Sequence, residues 1–159
     1  RRVALTPHAD LLATTLWSRI PPQDEAICNR KMNDFRTAVY HGEHFRARHY
    51  AEPHQRCMQW LRAELQASAG KRTVVVLPHH CPARIEDPRY GSNGLSAAFV
   101  NPLEQFVEHS GADHWIFGHT HYNGGNGLAF GNTTLHTNQF GYADNDIVEG
   151  FRHDALFTI

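Results

Sequence analysis

The sequence predicts an α/β fold, and three observations carry that prediction. Residues 73–77, Thr-Val-Val-Val-Leu, are β-branched and apolar on both faces, as expected of a strand inside a sheet. They follow a helical stripe in which Cys57, Leu61 and Leu65 recur every four residues, flanked by Met58 and Trp60. A second short apolar run, His-Trp-Ile-Phe at 114–117, follows a second helical segment, so strands and helices alternate along the chain.

Each element has a local reason. Residues 10–17 are apolar with Thr and Trp and read as a buried strand, which Ile20-Pro21-Pro22 stops. From Gln23 to about Phe35 the composition favours helix, with Pro22 tolerated in its first turn. Residues 37–40 read as a short strand. Pro53 opens the striped helix, and Gly70 sits just past its end. The strand at 73–77 empties into a long loop, 78–96, rich in Pro, Gly, Arg and Asp. Asn101-Pro102-Leu103-Glu104 is a helix start: an Asn cap, Pro at the first position, Glu at the third. Leu103, Phe106, Val107 and Ser110 then share a face, and Gly111 ends that helix. Gly131-Asn132 signals a two-residue hairpin that sets Phe130 opposite Thr133 and Leu128 opposite Leu135, with the apolar residues on one face. Ala155–Ile159 reads as a last strand.

Composition narrows the function. With 159 residues, 41% hydrophobic and 19% charged, the chain can hold a core of its own and is not a charge-rich disordered polymer. No repeat or linker divides it, so a single domain over 1–159 is expected. A formal net charge of −1 leaves no basic field for nucleic acid, and no apolar run is long enough to span a membrane. Cys28, Cys57 and Cys81 lack CxxC spacing and cannot form a closed disulfide set, which points to a reducing, cytoplasmic setting. The chain opens Arg1-Arg2-Val3 without Met, which reads as part of a longer protein or a processed product.

Histidine is the excess residue, 13 of 159. His8, His41, His44, His49, His54, His109, His114 and His153 lie among polar residues at no useful spacing and read as surface or hydrogen-bonded rings; His136 lies in the hairpin strand. Two clusters differ. Val74-Val75-Val76-Leu77-Pro78-His79-His80 is a buried strand running out through two His. Trp115-Ile116-Phe117-Gly118-His119-Thr120-His121 repeats that design, with Gly118 permitting a sharp turn or a close backbone approach. Residues i and i+2 of an extended segment point the same way, so His119 and His121 can aim at one metal or at two adjacent ones. Ligands collect at the carboxyl ends of parallel strands, and neutral imidazole is a common ligand for Zn, Mn, Fe and Co.

The order strand-His-His-x-Pro, helix, strand-Gly-His-Thr-His resembles the C-terminal half of the calcineurin-like metallophosphoesterases. Thr15-Leu16-Trp17, Met32-Asn33-Asp34-Phe35, Pro88-Arg89-Tyr90, Ala97-Ala98-Phe99-Val100 and Asn138-Gln139-Phe140-Gly141-Tyr142 extend the resemblance to a subgroup of small bacterial members, from about Leu11 to the end. The resemblance implies an αββα sandwich, of which this chain forms the second half. It also implies hydrolysis of phosphomonoesters or phosphodiesters by water activated between two divalent ions (Mn, Fe or Zn). His119 and His121 are then metal ligands, together with one of His79 and His80. Strand register favours His79, leaving His80 as ligand, supporting group or catalytic substrate contact. Arg84, Arg89 and Tyr90 in the long loop are candidate substrate contacts, because guanidinium matches phosphate oxygens; the plain alternative is a solvated loop held by Arg84 with Glu86 or Asp87.

The family's N-terminal Asp-x-His, Gly-Asp-x-x-Asp and Asn-His motifs do not occur in this sequence. The chain therefore reads as a partial metallophosphoesterase domain whose bridging carboxylate comes from elsewhere, with a phosphate ester as substrate and a missing N-terminal half or a second copy as partner. A non-catalytic remnant serving as a binding or assembly module is the alternative. A lone His-rich zinc site is a third reading; structural zinc usually draws on Cys, and these thiols are poorly placed for it.

Overall fold

The structure, a computed structural model, describes residues 1–69, 73–89, 93–142, 144 and 147–159. It is α/β. Six strands form one mixed sheet: β1 (Arg2–Thr6), β2 (Ala9–Thr14), β5 (Thr73–Pro78), β6 (His114–Ile116), β7 (Ala129–Phe130) and β8 (Thr133–His136). Their order is β1-β2-β5-β6-β8-β7, with β2, β5, β6 and β8 mutually parallel and β1 and β7 added antiparallel at the edges. A separate two-stranded ribbon joins β3 (Val39–Tyr40) to β4 (Glu43–His44).

The parallel centre explains the β-branched run. Val74, Val75 and Val76 are all buried, with neighbours on both sides of the sheet plane. On one face Leu12, Val74, Val76, Trp115 and Leu135 pack against helix α3 (Ala51–Ser68) and helix α4 (Glu104–Glu108). The fully buried α3 residues are Met58, Leu61, Leu65 and Ser68. Cys57 and Trp60 sit half-buried at the border of the same core, so the stripe meets the sheet as its period requires, rotated toward Met58.

A second core lies between β2 and α3. Helix α1 (Pro22–Lys31), the short helix α2 (Asp34–Thr37) and a 3₁₀ turn (Ala47–Tyr50) enclose Cys28, Met32, Phe35, Phe45 and Tyr50. The helix expected from Gln23 to Phe35 breaks at Met32, whose backbone is extended, so that Met32 and Phe35 both reach this core.

Several expectations change. Asn101 is not a helix cap: Leu103 holds that position, and Asn101 is fully buried, donating from Nδ2 to the Leu16 carbonyl at 3.0 Å. Leu16 has φ +48°, and the buried amide satisfies the carbonyl that this left-handed turn removes from the sheet. The hairpin turn forms as expected, Phe130 opposite Thr133 and the Leu135 N–H bonded to the Leu128 carbonyl at 2.7 Å. Leu128 nonetheless faces solvent, because only Phe130 of this edge segment reaches the core. Ala155–Ile159 forms no strand; Phe157 instead lies flat on His136, ring centroids 4.1 Å apart and 5° from parallel. Strand β1 was not expected, since all five of its residues are exposed; it is held by pairing with β2 and by the Arg2 guanidinium on the buried Asp10 carboxylate. Gly70 lies outside the described residues. Among the described residues no helix is long and apolar enough to cross a membrane.

Candidate metal centre

Strand β5 ends at Pro78 and runs into His79-His80; β6 ends at Ile116 and runs into Phe117-Gly118-His119-Thr120-His121. The two strands are parallel neighbours, with Val75 level with His114 and Val76 level with Trp115. The pairing carries past the strand ends, where the Gly118 N–H donates to the His79 carbonyl at 3.2 Å. Both histidine loops thus open side by side at the carboxyl edge of the sheet. The His79 and His119 rings lie 4.5 Å apart, His80 and His119 4.4 Å, and His79 and His80 5.6 Å.

The turn is not made by Gly118. A Cβ there would meet only the His79 carbonyl, at an ordinary 3.9 Å, and the left-handed backbone belongs to His119 (φ +71°) and His121 (φ +49°). Such conformations disfavour residues with a Cβ and persist where surrounding bonds hold them. Gln139 supplies those bonds. It is buried, and its Oε1 accepts the His121 N–H at 2.7 Å. Its Nε2 lies 2.9 Å from the Thr120 hydroxyl, the Tyr122 carbonyl and the Thr137 hydroxyl. The Gln139 N–H in turn donates to Asn123 Oδ1 at 2.6 Å. Sequence reasoning found Gln139 only as part of the resembling tail, because nothing local marks a buried amide as the support of a loop 18 residues upstream.

The rings differ in electrostatics. Burial, then the charge of His119, pushes His80 down to about 2. Burial, then the charge of His79, pushes His119 down to about 4. His79 is lowered by burial and by His121, with Asp34 opposing. These three rings are therefore neutral at pH 7, each with one accepting nitrogen. His80 spends its one accepting lone pair: Nδ1 accepts the Ser18 N–H at 3.3 Å, which leaves the ring proton on Nε2 and no nitrogen free to ligate. Trp17 and Tyr50 of the second core back this ring at 5.6 and 6.1 Å. His119 Nε2, by contrast, is buried and has no hydrogen-bond partner among the described residues.

Among the described residues no three His, Cys, Asp or Glu already stand as a metal cage. The donor chemistry nevertheless fits a divalent cation: neutral imidazoles, one with an orphaned buried nitrogen, on two adjoining loops. His121 is the outlying ring, turned edge-on to Tyr142 at 4.4 Å. Cys81 is not a competing ligand; burial holds its thiol up at about 12, and its Sγ donates to the Ala83 carbonyl. Arg89 is clamped on the Asp87 carboxylate, with contacts of 2.6–3.0 Å. Arg84 is exposed, and its N–H bonds Glu104 rather than its side chain bonding Glu86 or Asp87. Tyr90 lies outside the described residues.

The family described as calcineurin-like phosphoesterase matches residues 10–123, which run from β2 through the Gly-His-Thr-His loop. No curated protein and no solved structure matches the chain.

Two outcomes follow from this geometry. Unfolded histidine titrates near 6.5, whereas folded His119 titrates at about 4, so below 6.5 the unfolded chain binds protons that the folded chain refuses. In chelator, urea stability should hold above pH 6.5 and fall as pH drops toward 4, and His119→Gln should flatten that slope. Gln139→Ala should lower stability by about 2–3 kcal/mol in urea unfolding, because it strands several buried partners. It should also weaken zinc binding by about 10–100-fold in isothermal titration, as losses of ligand-orienting bonds do.

Proposed function

Because the chain belongs to the calcineurin-like phosphoesterase family, we propose that it acts in metal-dependent hydrolysis of phosphate esters, with His79, His119 and His121 as metal donors. The observation that carries this reading is the convergence of His79, His80 and His119 at the ends of two parallel strands, with His119 Nε2 buried and without a hydrogen-bond partner among the described residues. A bound divalent cation supplies positive charge against the phosphoryl oxygens and lowers the pKa of a water ligand. The remaining work belongs to the chain. Partial desolvation lowers both His79, which still reaches solvent, and His119, so both are neutral and ready to ligate. His80, its Nδ1 fixed by Ser18, holds its proton on Nε2 as a hydrogen-bond donor toward a phosphoryl oxygen, the catalytic contact of this half of the site. Arg84 is an exposed cation of the loop open to an incoming phosphate; Arg89, also exposed, is already engaged by Asp87.

The substrate is a phosphate ester, mono- or diester, and water adds to phosphorus as the ester oxygen leaves with a proton. Full activity needs the bridging carboxylate absent from this sequence, so a second polypeptide segment or copy is the partner. By itself the chain is a partial domain that holds one metal. The three free cysteines, two of them buried, fit a reducing, cytoplasmic setting. The alternative, a non-catalytic binding or assembly module, is separated by the same experiment.

Zinc at 100 times its dissociation constant should stabilise the chain by about 2.7 kcal/mol, and His119→Ala should abolish that gain. Nitrophenyl phosphate turnover with added Mn should stay near background, since each lost transition-state contact costs roughly 10²–10³ in rate. Failure to bind zinc, or zinc binding indifferent to His119, overturns the metal assignment and favours the module. Robust turnover that vanishes in both His119→Ala and His121→Ala shows that the chain completes its site without an outside carboxylate.

A further inference from the structure

We propose that the cleft beside His119 and His121 receives the alcohol portion of the phosphate ester and selects alcohols that are apolar and carry no further negative charge. This rests on the phosphoesterase reading above. The cleft has a volume of about 320 Å³, and His119 and His121 are among its lining residues. A phosphoryl group at the His119 and His121 rings therefore borders this space, which is open to its ester substituent.

The walls next to the histidines are aromatic. The Phe99 ring lies 4.8 Å from the His119 ring and tilts 33° to it, and Tyr142 stands edge-on to His121. Ile85, Leu95 and Val100 continue the apolar lining away from the rings. Apolar surface of this kind rewards an apolar occupant by removing it from water.

The charge of the lining decides what is refused. None of the described lining residues is Lys or Arg, and two are carboxylates. The Asp87 carboxylate is matched by the Arg89 guanidinium, while Glu86 accepts the Ser96 hydroxyl at 2.9 Å. A second phosphate or a carboxylate on the alcohol meets Glu86 with no cation among the described lining residues to offset it, whereas a neutral ring meets no such repulsion and packs on Phe99, Tyr142 and the aliphatic lining. The cleft thus disfavours di- and triphosphates and sugar bisphosphates, and favours monoanionic or dianionic esters whose charge is confined to the phosphate at the histidines.

The test uses three phenyl phosphates differing only at the para position: hydrogen, carboxylate or aminomethyl. Binding to the 159-residue chain with Zn²⁺ is read by saturation-transfer NMR, with no activity required. The unsubstituted and aminomethyl esters should bind about three- to fivefold tighter than the carboxylate, the size of an exposed charge contact. Glu86→Lys should reverse that order, and Tyr142→Ala, at a side chain outside both cores, should weaken the ring contact of all three. His119→Ala should reduce all three equally without changing their order. Esters that bind through His119 but ignore the para charge overturn the cleft assignment and leave the metal centre standing. Binding of none of the three while Zn²⁺ binds also overturns it. If Zn²⁺ fails to bind as well, the phosphoesterase reading has failed and takes this inference with it.

Discussion

The hydrogen bond from the Gly118 N–H to the His79 carbonyl, at 3.2 Å, holds together everything functional in this chain. It carries the parallel pairing of β5 with β6 past the ends of both strands, so that two loops, each carrying two histidines, leave the sheet at the same level. A slip of one residue in that register turns every side chain of the strand to the opposite face. Val74 and Val76, locked against Trp115 and Leu61 in the core, resist such a slip. The core therefore does more than stabilise the domain; it sets where the imidazoles emerge.

The histidines then depend on supports that lie far from them in sequence. Gln139 holds the Thr120–Tyr122 backbone in a conformation that non-glycine residues disfavour. The Leu16–Ser18 turn, held by Asn101, fixes His80 through a main-chain donor. The aromatic core of Trp17, Phe45 and Tyr50 walls off the same ring, with Trp17 and Tyr50 centroids 4.9 Å apart. Together these contacts separate two adjacent histidines into different chemistry: His79 with an accessible imidazole, His80 with one nitrogen already occupied. Neighbouring positions on a chain acquire distinct roles because the structure around them, rather than their identity, decides which nitrogen is free.

What the sequence made legible was what periodicity governs. The run Thr73–Leu77, the stripe of α3 and the Gly131-Asn132 turn each announce themselves within a few residues, and the paired histidine clusters stand at strand ends where ligand chemistry collects. Less was legible where long-range contacts override local pattern. Asn101 has every local mark of a helix cap and is instead a buried amide serving Leu16. Ala155–Ile159 is apolar enough for a strand and makes none, Phe157 being spent on His136. Gly118 looked like the pivot of the histidine loop, yet the left-handed backbone sits at His119 and His121. Strand β1, fully exposed, has no apolar alternation to read at all.

We propose that His79, His119 and His121 are the metal donors of this site. Zinc K-edge X-ray absorption on the zinc-loaded chain tests it most directly. The expected result is an inner shell of nitrogen and oxygen at about 2.0–2.1 Å, with imidazole scattering that weakens in each of His79→Ala, His119→Ala and His121→Ala. Sulfur at about 2.3 Å, which places Cys81 or Cys28 on the metal, or a spectrum unchanged by His119→Ala, contradicts it.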